Sequence, residues 1–433
     1  MWTKAYHRLT LQRGHIIVSS KRIHACPSRV LFSSEKLDSH ITKDSSLQYV
    51  SHFKSPIVQK LWEARQKAKA EASKAAVVME SFRVPSQSMT SISYPFSTDE
   101  LLKESYRNPW GQLRFGKILE DLDALAGNIA FAHVQDPTMT IVTASVDRIT
   151  LSSIPNLKSD LTLSGKVTYV GKSSMEIKMQ CKSADNDQYW MEAYFTFVAT
   201  DQNTKRPMKI TPLKPETELE EQQFKAGMQR AASKKKARQQ AKNHQHGLAI
   251  ENEMEDGARE LLKQAWPVVN MPSLACPESI LMNQTELQNC EIAQPQTRNL
   301  ASQIFGGFLM RRACELAYST VWVFGGARPS FYEVDQVSFG MPVNVGDLLK
   351  FKSRVLYTCT EDDPVREGKT VSVEVETWVI DPTNSSATLA NQFYYTFALP
   401  SETSLRRVLP ANMEEARKIV LRMAADKAQN QET

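Results

Sequence analysis

The chain contains one sequence pattern twice, once in its first half and once in its second half. Four segments recur, at offsets of 191, 191, 188 and 200 positions: Gly116–Asp123 (GKILEDLD) as Gly307–Cys314 (GFLMRRAC), Val142–Ile149 (VTASVDRI) as Glu333–Phe339 (EVDQVSF), Lys166–Val170 (KVTYV) as Arg354–Thr358 (RVLYT), and Tyr194–Phe197 (YFTF) as Tyr394–Phe397 (YYTF). The rise in offset indicates about twelve additional residues in the second copy, most simply in the polar stretch Cys359–Thr370. Solenoid repeats are about 20 to 50 residues long, so this longer interval predicts two copies of one folded domain.

Each copy has a helical pattern followed by strand patterns. Apolar or small residues recur at the spacing of one helical face in both copies: Ile118, Leu122, Leu125 and Ile129 in the first, and Leu309, Ala313, Leu316 and Thr320 in the second. Further on, apolar residues alternate with polar ones, as in strands with one face exposed: Met175, Ile177, Met179 and Cys181, and then Val371, Val373, Val375 and Val379. The two periods predict α+β domains, each with one long helix packed on an antiparallel sheet.

The N-terminal segment, 1–34, differs in composition from the rest of the chain. It contains six Lys or Arg and no Asp or Glu, which accounts for the formal net charge of +5 and leaves about −1 for the remaining residues. An Arg- and Ser-bearing, acid-free leader without an unbroken apolar core is typical of a mitochondrial transit peptide. The alternative is a disordered basic N-terminus on a cytosolic protein.

Six segments follow from the repeat and the changes in composition: a transit peptide over 1–34, a helical N-terminal extension over 35–90, the first domain over 91–211, a charged and partly helical linker over 212–275, the second domain over 276–400, and a C-terminal tail over 401–433. The extension contains Ser55-Pro56, which predicts a helix start because Pro suits the first helical position. The linker centre, Gln229–His246, has no aromatic residue for stacking on bases, so no nucleic-acid partner is expected. No segment has the roughly 18 consecutive apolar residues of a transmembrane helix.

Several kinds of active site are excluded by the residue pattern. The six cysteines show no C-x-x-C spacing, which argues against a zinc site or a disulfide framework, and neither H-E-x-x-H nor G-x-S-x-G occurs. Seven of the eight histidines lie in the leader, the extension or the linker. The exception, His133, follows the apolar helix and is interpreted as a helix-end or surface residue. The pattern therefore argues against a zinc site and against Ser–His–Asp hydrolysis on an α/β-hydrolase fold.

Glycine stands at the head of each long helix, as Phe115-Gly116 and as Phe305-Gly306-Gly307. Glycine lets a ligand approach closely, and the first helical turn has N–H groups without intrahelical acceptors. Gly116 or Gly307 could therefore contribute to an oxyanion hole that polarises a carbonyl. A tight turn without a ligand explains the same residues, so this feature alone does not assign a function.

Long stretches of both copies resemble the acyl-CoA thioesterase 9-like family, the double hotdog acyl-CoA thioesterases of mitochondria. The resemblance covers about Ser91–Thr211 and Cys276–Pro400, and includes RFGKILEDLD (Arg114–Asp123), GKVTYVGKSSMEIKM (Gly165–Met179) and IFGGFLMRRACELAYST (Ile304–Thr320). It implies two tandem hotdog domains, each a long helix wrapped by a sheet, that pair as an intramolecular pseudo-dimer. It further implies a homotrimer of such chains. The implied reaction is hydrolysis of acyl-CoA to a free acid and coenzyme A, at the interface of the two domains and without a metal or cofactor.

The resemblance also implies roles for individual residues. The acidic catalytic position falls on Asp123 in the first copy and on Cys314 in the second, so one site per chain is expected. The polar partner falls on Asn299, with Gln303 as the other candidate, and the N–H of Gly307 or Phe308 would hold the oxyanion. Asp123 would activate water or attack the thioester directly.

Asp121 competes with Asp123 for the catalytic role. The two carboxylates flank Leu122 at about 100° on either side of the apolar stripe, so periodicity does not choose between them. A third interpretation makes both of them solvated residues at the edge of the stripe. Only the alignment with the family favours Asp123.

The segment Gly171-Lys172-Ser173-Ser174 matches the turn that meets coenzyme A in the family. Lys172 would pair with a phosphate and the serines with the pantetheine arm. A hairpin turn with a surface lysine is the alternative, and the second copy has Tyr357-Thr358-Cys359-Thr360 there. Two further functions compete with hydrolysis: a non-catalytic hotdog protein that binds acyl-CoA or a protein partner, and a hotdog hydratase, which would need a His–Asp pair.

Overall fold

The computed structural model describes residues 54–73, 81–152, 155, 157–184, 189–245, 252–299, 302–359 and 369–431. The predicted transit peptide, 1–34, lies outside the described residues. So do residues 360–368, where we expect the additional residues of the second copy. The strands that flank this segment end at Cys359 and begin at Lys369.

The described residues form helices and strands that occur in groups along the chain. The helices are α1 (Pro56–Ala72), α2 (Glu100–Tyr106), α3 (Phe115–Val134), α4 (Glu218–Gln245), α5 (Asn252–Asn270), α6 (Gly306–Gly325) and α7 (Met413–Gln431). The strands are β1 (Thr90–Tyr94), β2 (Met139–Leu151), β3 (Leu161–Val170), β4 (Ser174–Ser183), β5 (Tyr189–Asp201), β6 (Ser279–Leu281), β7 (Leu287–Ile292), β8 (Ser330–Phe339), β9 (Leu348–Cys359), β10 (Lys369–Asp381), β11 (Ser386–Leu399) and β12 (Arg407–Leu409). Among the described helices, none has both the length and the apolarity required to cross a bilayer.

One ten-stranded sheet contains strands of both copies, in the order β1-β3-β4-β5-β2-β8-β11-β10-β9-β7. The copies join where β2 pairs antiparallel with β8, with Val146 opposite Val337. Helices α3 and α6 pack against each other and against this sheet. Each copy is thus a long helix wrapped by antiparallel strands. The predicted fold class, α+β with two tandem hotdog domains, is confirmed.

The two long helices correspond at the offset of 191 positions that the sequence predicts. Helix α3 begins at Phe115, helix α6 begins at Gly306, and each has twenty residues. The offset in the next strand is 188, because Val146 pairs with Phe195 in the first copy and Val334 with Tyr395 in the second. The sequence alignment of Val142 with Glu333 is therefore wrong by three residues. Equivalent positions of helix and strand are therefore three residues closer along the chain in the second copy.

The apolar stripe of α3 is the centre of the core. Its four predicted residues, Ile118, Leu122, Leu125 and Ile129, are fully buried. Where α3 meets α6, a Cβ added at Gly307 would lie 2.8 Å from the carbonyl oxygen of Glu120. The glycine at this helix head is thus required for the close contact of the two backbones.

The outer face of the sheet is covered by helices from the segments that the sequence assigns to linker and tail. Arg230 of α4 donates two hydrogen bonds, of 2.9 and 2.7 Å, to Glu176 of β4. Glu176 is buried beneath α4, whereas Lys178 and Gln180 are partly exposed, so the predicted half-buried strand departs from its pattern at Glu176. Lys418 of α7 covers the other half of the sheet in a similar way, 2.5 Å from Glu376.

Helix α1 begins where the sequence predicts. Pro56 is its first residue, and the Ser55 hydroxyl caps the helix by accepting a hydrogen bond from Val58 N–H. Ile57, Val58 and Leu61 bury their side chains in the core. The N-terminal extension is therefore packed into the fold of the two domains.

Candidate active site

Asp123 is held at the contact between the two copies. It lies on α3, is 3% exposed, and accepts a hydrogen bond of 2.7 Å from the Thr143 hydroxyl of β2. Its other carboxylate oxygen accepts a hydrogen bond of 2.7 Å from the backbone N–H of Gly307, in the first turn of α6. The first helical turn has N–H groups without intrahelical acceptors and a positive dipole end, so it stabilises a carboxylate.

Two opposing effects act on the pKa of the Asp123 carboxyl. Burial raises this pKa, because the charged form loses its hydration. The hydrogen bonds from Thr143 and Gly307 and the positive charge of Arg65 lower it, and burial dominates. A carboxylate with a raised pKa is a stronger base than a solvated aspartate.

Asp121 points to a different part of the molecule. It is fully buried and accepts hydrogen bonds from Ser55 at 2.8 Å, from Tyr94 at 2.9 Å and from Tyr106. Burial raises its pKa to about 7, against the lowering effect of these donors. Asp121 thereby joins the cap of α1, strand β1 and helix α2 to α3. It is enclosed by these side chains and is not a solvated edge residue.

A cavity of about 690 Å³ lies between the copies, and Asp123 lines it. The two partner candidates, Asn299 and Gln303, line the same cavity, as do Gly306 and Phe339. The structure thus brings together three predicted site residues that are 176 and 180 positions apart in the sequence.

Asn299 and Gln303 form one loop before α6. The N–H of Asn299 donates to the carbonyl oxygen of Gln303 at 2.6 Å, and the N–H of Gln303 donates to the side-chain oxygen of Asn299 at 3.1 Å. The Asn299 side chain therefore closes the loop. Within the part of the chain that the structure describes, the Gln303 side chain makes no hydrogen bond, and Gln303 lines the cavity.

Both N–H groups predicted to hold the oxyanion already have acceptors. That of Gly307 donates to Asp123, and that of Phe308 donates to the carbonyl oxygen of Phe305 at 3.1 Å. The predicted third donor, Gly116, lies beside Arg311 and Glu315 rather than at the cavity.

The corresponding position of the second copy is filled with apolar side chains. Cys314 stands in place of Asp123, and burial raises the pKa of its thiol. At the offset of 188, Phe331 replaces Thr143. Its ring lies 4.1 Å from that of Phe115, which stands where α6 has Gly306. The packing of Phe115 against Phe331 explains why the second copy has no polar site that corresponds to that of Asp123.

The turn predicted to meet coenzyme A lies between β3 and β4. Its residues Gly171, Lys172 and Ser174 line a second cavity, of about 600 Å³, between the sheet and α4. This cavity is separate from that of Asp123, although Val198 of β5 lines both. In the second copy, Tyr357–Cys359 belongs to strand β9.

Arg65 of α1 is a residue that the sequence did not single out. Its Nε donates to the side-chain oxygen of Asn128 at 2.7 Å, and its Nη2 donates to the carbonyl oxygen of Ala124 at 2.8 Å. The guanidinium lies against Gly127, where any Cβ would clash with it, and lines the cavity of Asp123. Glycine inside a helix costs about 1 kcal/mol relative to alanine. The space that Gly127 leaves for the Arg65 guanidinium explains why a glycine occurs within α3.

Thr143 was also missed, and the repeat contains a signal for it. Once the strands of the two copies are aligned at the offset of 188, the hydroxyl residue Thr143 of the first copy aligns with the aromatic residue Phe331 of the second.

His133, the one histidine of the first domain, lies at the end of α3 as expected. It is buried rather than on the surface, and its Nε2 lies 2.9 Å from the carbonyl oxygen of Thr211.

The chain is similar to several known proteins over most of its length. No protein-family model matches it. The sequence is 41% identical over 414 residues to acyl-coenzyme A thioesterase 4, mitochondrial, of Humulus lupulus, covering 90% of this chain and 76% of that protein. It is 40% identical to acyl-coenzyme A thioesterase 2, chloroplastic, of the same plant, covering 86% and 89%. Human acyl-coenzyme A thioesterase 9, mitochondrial, is 34% identical, with coverage of 72% and 71%.

Proposed function

The chain belongs to the acyl-CoA thioesterases and is a thioester hydrolase, and from this we propose that it cleaves acyl-CoA at one site per chain, in the cavity between its two hotdog domains. The observation that carries the proposal is the position of Asp123. Its carboxylate lines this cavity and is held by the hydroxyl of Thr143 and the N–H of Gly307.

We propose that Asp123 acts as a general base. Each of its oxygens accepts one hydrogen bond and keeps a lone pair that can accept a proton, and burial raises the pKa of the carboxyl, which makes it a stronger base. A water molecule loses a proton to Asp123 while its oxygen attacks the thioester carbonyl carbon. The carbon–sulfur bond then breaks, and Asp123 returns the proton to the leaving thiolate. Direct attack by Asp123 is the alternative.

The thioester oxygen needs a donor as it gains negative charge. Because the N–H groups of Gly307 and Phe308 already have acceptors, we assign this role to the side-chain amide of Gln303. Asn299 acts through Gln303, since its side chain closes the loop that presents this amide. The turn Gly171–Ser174 would bind the coenzyme A portion, with Val198 between it and the cavity.

A thiol-release assay over a panel of short- to long-chain acyl-CoAs tests the activity and reports the preferred chain length. Single-turnover hydrolysis in ¹⁸O-labelled water tests for direct attack. A general base yields an acid with one ¹⁸O and leaves Asp123 unlabelled. Direct attack forms a mixed anhydride, and when water opens it at the Asp123 carboxyl carbon, the acid carries an unlabelled oxygen of Asp123 and the ¹⁸O enters Asp123. Absence of thiol release from every acyl-CoA would contradict the proposed function.

We propose that hydrolysis requires no metal and no cofactor. Among the described residues, no group of three or more His, Cys, Asp or Glu side chains is arranged to hold a metal ion. Activity should be unchanged after dialysis against a chelator. A loss that added divalent cations restore would contradict this part of the proposal.

We propose that the protein acts in the mitochondrial matrix. Support comes from the acid-free leader, 1–34, and from relatives named mitochondrial, while the plant relative named chloroplastic shows that the location varies in the family. Deletion of residues 1–34 should leave the protein in the cytosol with unchanged purified activity. A deletion variant that still reaches mitochondria contradicts this location signal.

We further propose that the chain assembles as a homotrimer, as its family resemblance implies. Light scattering coupled to size-exclusion chromatography should give three times the mass of one chain. The mass of a monomer or a dimer would overturn this assignment.

A further inference from the structure

Asn391 of β11 is a buried amide without a partner. It is 2% exposed, and within the described part of the chain neither its side-chain oxygen nor its side-chain nitrogen makes a hydrogen bond. A buried polar group without a partner is unfavourable, so such groups in native proteins require an explanation. Asn391 lines the cavity that contains Asp123, and a bound ligand in this cavity would supply the missing partners.

The position of Asn391 in the sheet brings it close to the proposed reaction centre. Its side chain is on the same face of β11 as that of Tyr395, whose hydroxyl donates to the Met310 carbonyl of α6, because residues two and four apart share a face. It pairs with Phe339 of β8. A Cβ added at Gly306 would lie 3.2 Å from the Phe339 ring and 3.0 Å from the Asp123 carboxylate.

The other copy has no amide at this position. At the offset of 200, Met191 of β5 corresponds to Asn391, and it pairs with Leu151 as Asn391 pairs with Phe339. Met191 is buried in the core. Asp123 and Asn391 both line the cavity, and both are replaced by less polar side chains in the other copy. The hotdog fold therefore does not require a polar residue at the position of Asn391, and we attribute its polarity to the cavity.

The chemistry of a carboxamide selects its ligand. Asn391 offers one acceptor and two donors at the same point. In an acyl-CoA, the acyl chain offers neither, the thioester carbonyl only accepts, and the phosphates call for cationic partners. A secondary amide offers both an N–H and a carbonyl oxygen. We propose that Asn391 binds an amide of the pantetheine arm, the one nearest the sulfur, an assignment that rests on the proposed function.

Two thioesters of equal length test this assignment. The butanoyl thioester of N-acetylcysteamine contains the amide, and the butanoyl thioester of pentane-1-thiol replaces it with methylene groups. Asn391→Leu should lower kcat/KM for the first substrate by about 10- to 100-fold, the scale of one or two lost hydrogen bonds, and leave the second within about twofold. An equal loss on both substrates, or on neither, overturns the assignment.

A matched control is the neighbouring residue Thr377 of β10. It pairs with Asn391, is fully buried, and its hydroxyl also has no partner among the described residues, but it does not line the cavity. Thr377→Val should leave kcat/KM for both substrates unchanged. In the ligand-free protein, Asn391→Leu should have an equal or higher Tm, because it removes an unpaired buried group. A lower Tm would indicate a structural role and overturn the assignment.

Binding can be measured without hydrolysis. Pantetheine, which contains the amide but no thioester and no phosphate, should raise the Tm of the unmodified protein and of Thr377→Val but not of Asn391→Leu. A protein that binds pantetheine in this pattern yet cleaves no acyl-CoA would contradict the proposed function and retain the assignment. Equal Tm shifts in all three proteins would overturn the assignment to Asn391 and leave the proposed function uncontradicted.

Discussion

The backbone N–H of Gly307 donates a 2.7 Å hydrogen bond to the carboxylate of Asp123, which lies 184 positions earlier in the chain. The acid belongs to the helix of the first copy and the donor to the helix of the second. Both copies thus contribute a donor to this carboxylate, Thr143 from the first and Gly307 from the second. This supports our proposal that the pair of domains is the functional unit.

Asp123→Asn keeps the shape of the side chain and removes the base. We expect kcat to fall by at least about a hundredfold, the lower range of a general-base contribution. Cys314→Ala, at the corresponding position of the second copy, should keep most of the activity because Phe115 and Phe331 fill that site. Thiol-release kinetics with matched Tm values compare the two variants. Full activity of Asp123→Asn would show that the reacting acid lies elsewhere.

Gln303→Leu removes the amide that we assign to the thioester oxygen. The expected loss is about 100- to 1000-fold in kcat with little change in KM, as for other oxyanion donors. Asn299→Ala should lose less, because it acts only by closing the loop. Steady-state kinetics decide between them. A larger effect of Asn299→Ala would reverse the two roles.

Thr143→Val removes a hydroxyl that donates to Asp123. Because this hydrogen bond lowers the pKa of the carboxyl, its loss raises that pKa further. A base must be ionised, so activity falls as pH drops through the pKa, and the acidic limb of the kcat profile should move to higher pH in the variant. An unshifted limb would show that Asp123 does not control the profile.

Asp121→Asn tests the buried carboxyl that the structure assigns to packing. Its pKa is raised to about 7 in the folded protein, against about 3.9 when unfolded. Between these values the folded state binds a proton that the unfolded state lacks, so its contribution to stability falls as pH rises from about 4 to 7. The stability difference between the unmodified protein and Asp121→Asn should fall over this window.

Asp381, at the end of β10, provides the control for that measurement. Hydrogen bonds from Asn384 lower its pKa, so the corresponding difference for Asp381→Asn should rise with pH instead. Chemical denaturation at several pH values measures both. In addition, Asp121→Asn should keep most of its kcat at neutral pH. A dead but folded Asp121→Asn would exchange the roles of the two aspartates.

Two helical glycines should respond to alanine in opposite directions. In Gly307→Ala the new Cβ would meet backbone atoms of Glu120 at 2.8 and 2.9 Å, so the helices must separate. The expected destabilisation is about 1 to 3 kcal/mol, as for other overpacked sites. In Gly257→Ala the Cβ would lie 3.6 Å from Val420, an ordinary contact, so stability should rise by up to about 1 kcal/mol. Urea unfolding measures both changes.

The sequence by itself determined the architecture of this protein. Internal repetition predicts two domains, the spacing of apolar residues predicts their long helices and antiparallel strands, and Ser55-Pro56 marks the start of α1. These features depend on residues that are close in the chain, because helix and strand periods are local properties of the backbone. The assignment of the acidic catalytic position to Asp123, in contrast, comes from the alignment with the family and not from these local patterns.

Only the tertiary structure decided which side chains share the cavity. Asp121 and Asp123 are equivalent by helical periodicity, yet one is enclosed by Ser55, Tyr94 and Tyr106 and the other meets Thr143 and Gly307. The neighbours that distinguish them come from distant parts of the chain, and no local pattern records them. The same holds for Arg65 and Asn391, which reach the cavity because α1 packs on α3 and because β11 pairs with β8. Long-range packing, which fixes burial and hydrogen-bond partners, is what turns one of two similar carboxylates into a candidate base.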